Sequence, residues 1–350
     1  MPSHITFPSG VSFAFTAAVL FGASTPLSKL LLRGVDPILL AGLLYLGSGI
    51  GLVLWRWLRV WFTESNSQEA SLKRRDFPWL AAAILTGGVV GPVLLMLGLT
   101  ITPASSASFL LNLEGVLTAG LAWFVFNEHF ERPLVWGMGA ITAGGLLLSW
   151  AGRPELDIPW GAVAIIGACL AWAIDNNLTR KISAGDPLQI AGAKGIVAGG
   201  INLTLAFTTG ATAPGVLTVL TAALVGFLGY GVSLVCFVLA LRHLGTARTG
   251  AYFSLAPFIG AALSILTLGD RLTVHFVLAA MLMGIGAWLH LTERHAHEHW
   301  HEPPEHDHRH THDEHHQHGH IEEPHSHSHT HPAMIHFHPH YPDVHYRHSH

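Results

Sequence analysis

Residues 11 to 292 form a near-unbroken succession of apolar stretches, and this limits what the chain can fold into more than any other feature. A bilayer core about 30 Å thick is crossed by about 20 mainly apolar helical residues. Such stretches are expected at about 11–32, 37–62, 78–99, 104–126, 133–151, 160–182, 187–208, 215–241, 247–268 and 273–292. The predicted fold is therefore an all-α integral membrane protein with ten transmembrane helices. Only 11% of the 350 residues are Asp, Glu, Lys or Arg, against about a quarter in an average soluble domain. The connections are short and carry helix stops such as Asp36-Pro37, Arg153-Pro154 and Asp186-Pro187, which leaves no room for an inserted soluble domain. The first stretch is too long, and its flank too poor in Lys and Arg, for a cleaved signal peptide.

The remainder of the chain has a different character. Of the 27 histidines, 22 lie between His295 and His350. Residues 1–294 carry a formal charge of +3 and residues 295–350 one of −7. Neither part has the basic excess of a nucleic-acid binder. Cys169 and Cys236 both sit in apolar runs, so no disulfide framework or CxxC metal site is expected. Lys and Arg also set the orientation, since they accumulate on the cytoplasmic side. With ten spans, the side shared by the two termini holds eleven of them and the opposite side four. Both termini are therefore expected in the cytoplasm, and the histidine tail with them.

The apolar part repeats itself. At an offset of 150, LLRGVDPILLAG (31–42) lies over KISAGDPLQIAG (181–192). Beyond the longer basic loop after the second span the offset falls to 142, which places Asn127-Glu128 over Gly269-Asp270 and Gly144 over Gly286. Five spans repeated once give an odd-numbered unit, so the second copy must insert upside down relative to the first. Inverted repeats of this kind build alternating-access transporters, with the substrate site near the midplane between the halves. The expected domains are residues 1–152 and 153–294 as the two five-helix repeats, and 295–350 as the tail.

The stretch FGASTPLSK (21–29), the helix-ending NEHF (127–130) with GDRL (269–272), and SLAPFIGAALSILTLGDRL (254–272) resemble the EamA-type permeases of the drug/metabolite transporter superfamily. The resemblance spans residues 11–292 and implies ten helices in two inverted repeats, acting mostly in the export of amino acids and other metabolites by secondary transport. One departure stands out. The second repeat has LAPFIG (255–260), as the family usually does, where the first has LEGVLT (113–118), which puts an acidic residue into span 4.

An ionisable residue in hydrocarbon is costly enough to be a functional candidate by default. Glu114 is expected about ten residues into span 4, Asp175 within span 6 beside Asn176 and Asn177, and Lys194 about seven residues after Pro187 in span 7. Glu114 is either a carboxylate that takes up and releases a proton or cation, or a neutral acid bonded to a neighbouring helix. Asp175 and Asn176 offer adjacent oxygen ligands for a divalent ion, but Asp175 and Lys194 lie at similar depth and are equally well placed to neutralise each other. Ser24 and Thr25 precede Pro26, which frees a helical carbonyl either toward a cavity or into a packed kink. His243 and His275 read as boundary residues, and Tyr230 and Cys236 as packing.

The tail is expected to be disordered without ligand, because it has little to bury. Its histidines alternate. His295, His297, His299 and His301 open the series, followed by His306, His308, His310 and His312; then come His315, His316, His318 and His320, and then His325, His327, His329 and His331. In an extended chain residues i and i+2 project to one side and can share an ion. Neutral imidazole suits Ni²⁺, Co²⁺, Zn²⁺ and Cu²⁺. With HFHPH (336–340) these make five varied blocks, unlike a purification tag, and pH sensing is the other reading. The tail also resembles those of bacterial nickel- and cobalt-resistance permeases.

These readings converge on a protein of the bacterial cytoplasmic membrane that is not an enzyme and requires no cofactor. The leading expectation is a secondary exporter of Ni²⁺, with Co²⁺ beside it, that exchanges the metal for protons and collects it on the tail. No GxxxxGK[ST] loop is present to couple ATP. The alternatives are an amino-acid or other metabolite exporter whose tail only buffers or senses metal, and a membrane-anchored metal store. Expected partners are the lipid bilayer, divalent metal ions (Ni²⁺, Co²⁺ or Zn²⁺) on the tail and protons, with room for a homodimer and no nucleic acid.

Overall fold

The two Asp-Pro pairs each start a helix. In the computed structural model, Asp36 Oδ1 accepts hydrogen bonds from the backbone of Ile38 (2.9 Å) and Leu39 (3.1 Å), and Pro37 occupies the first turn of α2 (Pro37–Phe62). Asp186 Oδ1 accepts from the Leu188 backbone at 2.9 Å and caps α9 (Pro187–Thr208) in the same way. The carboxylate satisfies an amide that has no helical partner, and proline lacks one to satisfy. The structure describes residues 9–62, 72, 74–126, 132–150, 159–182, 186–291, 296–301, 305–310, 325–330 and 334–339.

The membrane part is built from helices, with no strand among its described residues. Besides α2 and α9 it contains α1 (Ser9–Leu31), α3 (Phe77–Ala83), α4 (Gly91–Ile101), α5 (Ala104–Leu110), α6 (Leu113–Phe126), α7 (Arg132–Trp150) and α8 (Trp160–Arg180). There follow α10 (Val216–Gly226), α11 (Ser233–Phe253), α12 (Ala256–Leu268) and α13 (Val274–Leu291). The pairs α3–α4 and α10–α11 are each joined by a π-helical segment, Ile84–Val90 and Phe227–Val232. Six helical stretches are long and apolar enough to cross a bilayer: Gly10–Leu31, Pro37–Leu58, Arg74–Ile101, Trp160–Thr179, Leu188–Thr208 and Val216–Ala240. Three shorter apolar helices, Val135–Leu148, Ala256–Leu268 and Val274–Leu289, accompany them. Val216, Leu217 and Leu266 are 76%, 78% and 81% exposed, an outward apolar surface that suits lipid and not water.

Two expected spans differ from their sequence reading. The stretch expected as one helix over 104–126 is broken at Leu111 and Asn112, where the Asn112 and Glu114 backbone amides close three-residue turns onto Phe109 (3.0 Å) and Leu111 (3.1 Å). The Leu110 carbonyl at this break accepts from the Cys169 thiol at 3.6 Å, which keeps a polar group supplied inside the membrane. The connection expected between residues 241 and 247 is helical, because α11 runs on to Phe253 and the chain turns at Ser254 and Leu255.

Helices α2 and α9 pack most closely. A Cβ added at Gly49 would run into the backbone of Gly195 and Ile196, and one at Gly195 into Gly49. Small residues let two backbones approach where lipid gives helices no hydrophobic reason to associate. The large side chains Leu39, Leu40, Leu95, Met96, Ile141, Ile165 and Met283 fill the interior around this pair and around α4, α7, α8 and α13.

The tail forms a separate unit, Arg294–Tyr341. Its described residues form β1 (Ala296–His301), β2 (Glu305–His310), β3 (His325–Thr330) and β4 (Met334–Pro339). β1 pairs antiparallel with β4, and β2 with β3. Strict alternation gives these segments the two-residue period of a strand, and Trp300, Ile335 and Phe337 are good strand formers.

Candidate functional site

Helix α8 brings the intramembrane polar residues together. Lys194 Nζ on α9 donates to both carboxylate oxygens of Asp175 at 2.6 Å, and Thr179 Oγ1, one turn further along α8, donates to Asp175 Oδ1 at 2.9 Å. Asp175 and Lys194 are each 6% exposed. Of the two sequence readings, mutual neutralisation is the arrangement found. Its cause is geometric: adjacent helices place the two residues at one depth, and a charge removed from water needs a partner.

The neighbouring residue on α8 serves the other acid. Asn176 Nδ2 donates to Glu114 Oε1 at 2.9 Å and lies 3.4 Å from Thr118 Oγ1. Asn177 Nδ2 donates to the carbonyls of Ala173 (2.9 Å) and Thr118 (3.3 Å), which fixes α8 against α6. The break before α6 changes the setting of Glu114. It lies in the first turn of α6, where unpaired amides give a partial positive charge, and not in the middle of a continuous helix.

Several contributors carried no sequence signal. The Gly87 carbonyl, in the first π-helical segment, accepts from Tyr45 Oη (2.7 Å) and Trp172 Nε1 (2.8 Å), and the Gly88 carbonyl accepts from Asn202 Nδ2 (3.0 Å). A π-helical turn breaks the regular ladder and leaves carbonyls for such donors. Phe21, Tyr45, Trp172 and Tyr230 form a chain of ring contacts beside this point, with centroids 5.5–6.2 Å apart. A Cβ at Gly87 would collide with the Asp175 side chain. Gly87→Ala is therefore expected to lower the thermal stability of the detergent-solubilised chain by about 1–3 kcal/mol, the scale of overpacking. An unchanged unfolding midpoint would show that the contact is not tight.

Of the other sequence candidates, Tyr230 belongs to this ring chain and Ser24 borders it. Ser24 and Thr25 are buried on α1, where Ser24 Oγ donates to its own helix at the Phe21 carbonyl (2.6 Å) and packs on Gly229 of the second π-helical segment. His275 is exposed at the start of α13, and Tyr230 and Cys236 are buried. The side chain of His243 lies outside the described residues. In the tail, His297, His299, His301, His306, His308, His310, His325, His327 and His329 fall within strands, whereas His295, His312, His315, His316, His318, His320 and His331 lie outside the described residues. Among the described residues of the membrane helices no group of three or more His, Cys, Asp or Glu is placed to hold a metal ion.

Further polar contacts tie distant segments. Arg56 Nη1 on α2 meets Asp186 Oδ2 at 3.0 Å, and the Gln189 amide oxygen accepts from the same guanidinium at 3.0 and 3.1 Å. Lys29 Nζ donates to the carbonyls of Leu99 and Thr102 at the end of α4, and Asp270 Oδ2 accepts from the Ser105 backbone at the start of α5 (2.9 Å). Lys29 and Asp270 each sit at the helix end whose dipole they complement.

The sequence profile of the EamA-like transporter family matches residues 8–150 and again residues 159–292. The chain belongs to the EamA family. Its relatives include an uncharacterized transporter of Methanothermobacter thermautotrophicus, 26% identical over 286 residues that cover 78% of this chain and 83% of that protein. A probable amino-acid metabolite efflux pump of Salmonella typhimurium is 24% identical, covering 79% of this chain and 93% of the pump. A solved crystal structure matches with a TM-score of 0.60 at 16% identity, covering 80% of this chain and 95% of that one, which shows a shared fold. As an EamA protein the chain is a multi-pass membrane transporter in contact with the lipid bilayer, and it is not an enzyme.

Proposed function

We propose that this EamA protein is a secondary transporter that exports a divalent transition metal ion, Ni²⁺ foremost and Co²⁺ beside it, from the bacterial cytoplasm in exchange for protons. The observation that carries the metal reading is the tail, with 22 histidines and a net charge of −7. The positive-inside count puts that tail on the cytoplasmic side, where an exporter gathers its cargo.

Two inverted five-helix repeats supply the alternating-access frame. In support, the family profile matches twice. The π-helical segments at Ile84–Val90 and Phe227–Val232, and the helix breaks at 111–112 and 254–255, recur within a residue of the 142-residue offset. Broken helices at corresponding positions are where transporters of this architecture hold substrate. In the proposed path a cation displaces the Asn176 amide from Glu114 and takes the Glu114 carboxylate with the Asn176 oxygen as ligands. A proton on Glu114 competes with it, which couples the two flows. The Asp175–Lys194 pair stands beside this step. An arriving cation weakens it by attracting the carboxylate and repelling the ammonium.

The test compares the full chain with one truncated after Arg294 in a metal-sensitive cell at matched membrane levels. Tail loss is expected to weaken protection most at low nickel, where collection limits flux. Equal protection at all nickel levels would reduce the tail to a buffer.

A second reading, export of an amino acid or other metabolite, is favoured by the membrane site itself. The described residues there hold no three-ligand group, while a buried carboxylate–ammonium pair beside a row of aromatic rings matches a zwitterion with an apolar body. Amino-acid efflux from cells that express the chain, with no change in retained nickel, would select this reading.

A further inference from the structure

The tail has a property that its histidine content does not predict. In β2–β3 the register sets His306 opposite His329, His308 opposite His327 and His310 opposite His325. Residues two apart share one face of a strand, and direct partners share it across the ladder. Six histidines therefore occupy one face of this ladder, and Glu305, Asp307, Arg309, Ser326, Ser328 and Thr330 the other. β1–β4 repeats the arrangement, with His297 opposite His338 and His299 opposite His336. Its opposite face carries Trp300 paired with Ile335, and Glu298 paired with Phe337. A shift of one residue in either pairing would set histidine against these other residues and dissolve that array.

We infer that the tail binds divalent metal as two histidine ladders, in which successive rows of cross-strand pairs form all-nitrogen sites and metal binding and strand pairing stabilise each other. This deepens the reading of the tail as a metal collector and rests on it. Direct partners have Cβ atoms about 4.5–5.5 Å apart, and successive rows are separated by about 6.6–6.8 Å, two residues of strand rise. Two rows thus place four histidines at neighbouring register positions. Four nitrogens complete the tetragonal or tetrahedral sets that Ni²⁺, Cu²⁺ and Zn²⁺ prefer, without thiolate. A two-stranded ribbon is marginal by itself in water. Metal ions that bridge its strands bind only the paired state and so stabilise it by mass action.

Composition and register predict different outcomes for equal losses of histidine. One full-chain variant removes four ladder histidines (H306S, H308S, H327S and H329S), and a second removes four outside the strands (H315S, H316S, H318S and H320S). Each is purified in detergent, titrated with Ni²⁺ by equilibrium dialysis, and followed by amide hydrogen exchange. The ladder variant is expected to lose the tightest class of Ni²⁺ sites, with affinity at least about tenfold weaker, and Ni²⁺ should no longer protect amides in residues 305–310 and 325–330. The other variant should keep both. Equal affinities for the two variants, or no Ni²⁺-dependent protection in the unaltered chain, would overturn the ladder. Neither readout involves transport, so the ladder can fail while export stands, and export can fail while the ladder stands.

Discussion

Asp175→Ala, made with Lys194 left in place, is expected to destabilise the membrane domain by about 3–5 kcal/mol, the cost of stranding one member of a buried ion pair. The ammonium of Lys194 is buried and has its two 2.6 Å bonds to Asp175, with Thr179 Oγ1 at 3.4 Å as the remaining acceptor. Without the carboxylate a bare cation faces hydrocarbon and aromatic rings. Lys194→Met should have a similar effect by stranding the carboxylate. The double variant Asp175→Ala with Lys194→Met removes both charges, and its stability should return to within about 1–2 kcal/mol of the parent, because a buried pair replaced by apolar groups is often neutral. Thermal unfolding of the purified chain in detergent checks the series. Transport should not return with stability in the double variant, since the proposed path uses the pair as its electrostatic gate. Recovery of transport together with stability would make the pair purely structural.

Glu114→Gln is expected to abolish export while the fold persists. The glutamine oxygen can still accept from Asn176 Nδ2, as Glu114 Oε1 does at 2.9 Å, so the α6–α8 contact survives. What is lost is the charge, and with it the ability to hold a cation or exchange a proton. Nickel retained by metal-sensitive cells should rise to the level of cells without the chain, at equal membrane abundance and equal unfolding temperature. Nickel retention as low as with the intact chain would take Glu114 off the path.

The sequence and the structure diverge in an orderly way. The Asp-Pro starts of α2 and α9 were legible because capping and proline chemistry are local. Asp175 and Lys194, 19 residues apart on successive helices, were readable as a pair from depth alone. The break before Glu114 was not, because LLNLEG contains neither proline nor a glycine at the turn, and it is sustained from another helix by the Cys169 thiol. Gly87 was invisible among 37 glycines. Its role comes from Tyr45 and Trp172, 42 and 85 residues distant, which converge on a carbonyl that only the π-helical turn makes available. In the tail the i, i+2 spacing was legible, whereas the partner strand of each block is a tertiary fact that no local pattern contains.

Inside-out membrane vesicles that hold the full chain test nickel export most directly, because export from the cell becomes uptake into the lumen. With the lumen more acidic than the medium, vesicles with the intact chain should accumulate radioactive nickel and lose it again when the proton gradient is collapsed. Vesicles with Glu114→Gln, and vesicles without the chain, should accumulate none. Absence of nickel uptake by the intact chain, in vesicles that accumulate an amino acid under the same gradient, would contradict metal export and leave the tail a metal-binding appendage of a metabolite exporter.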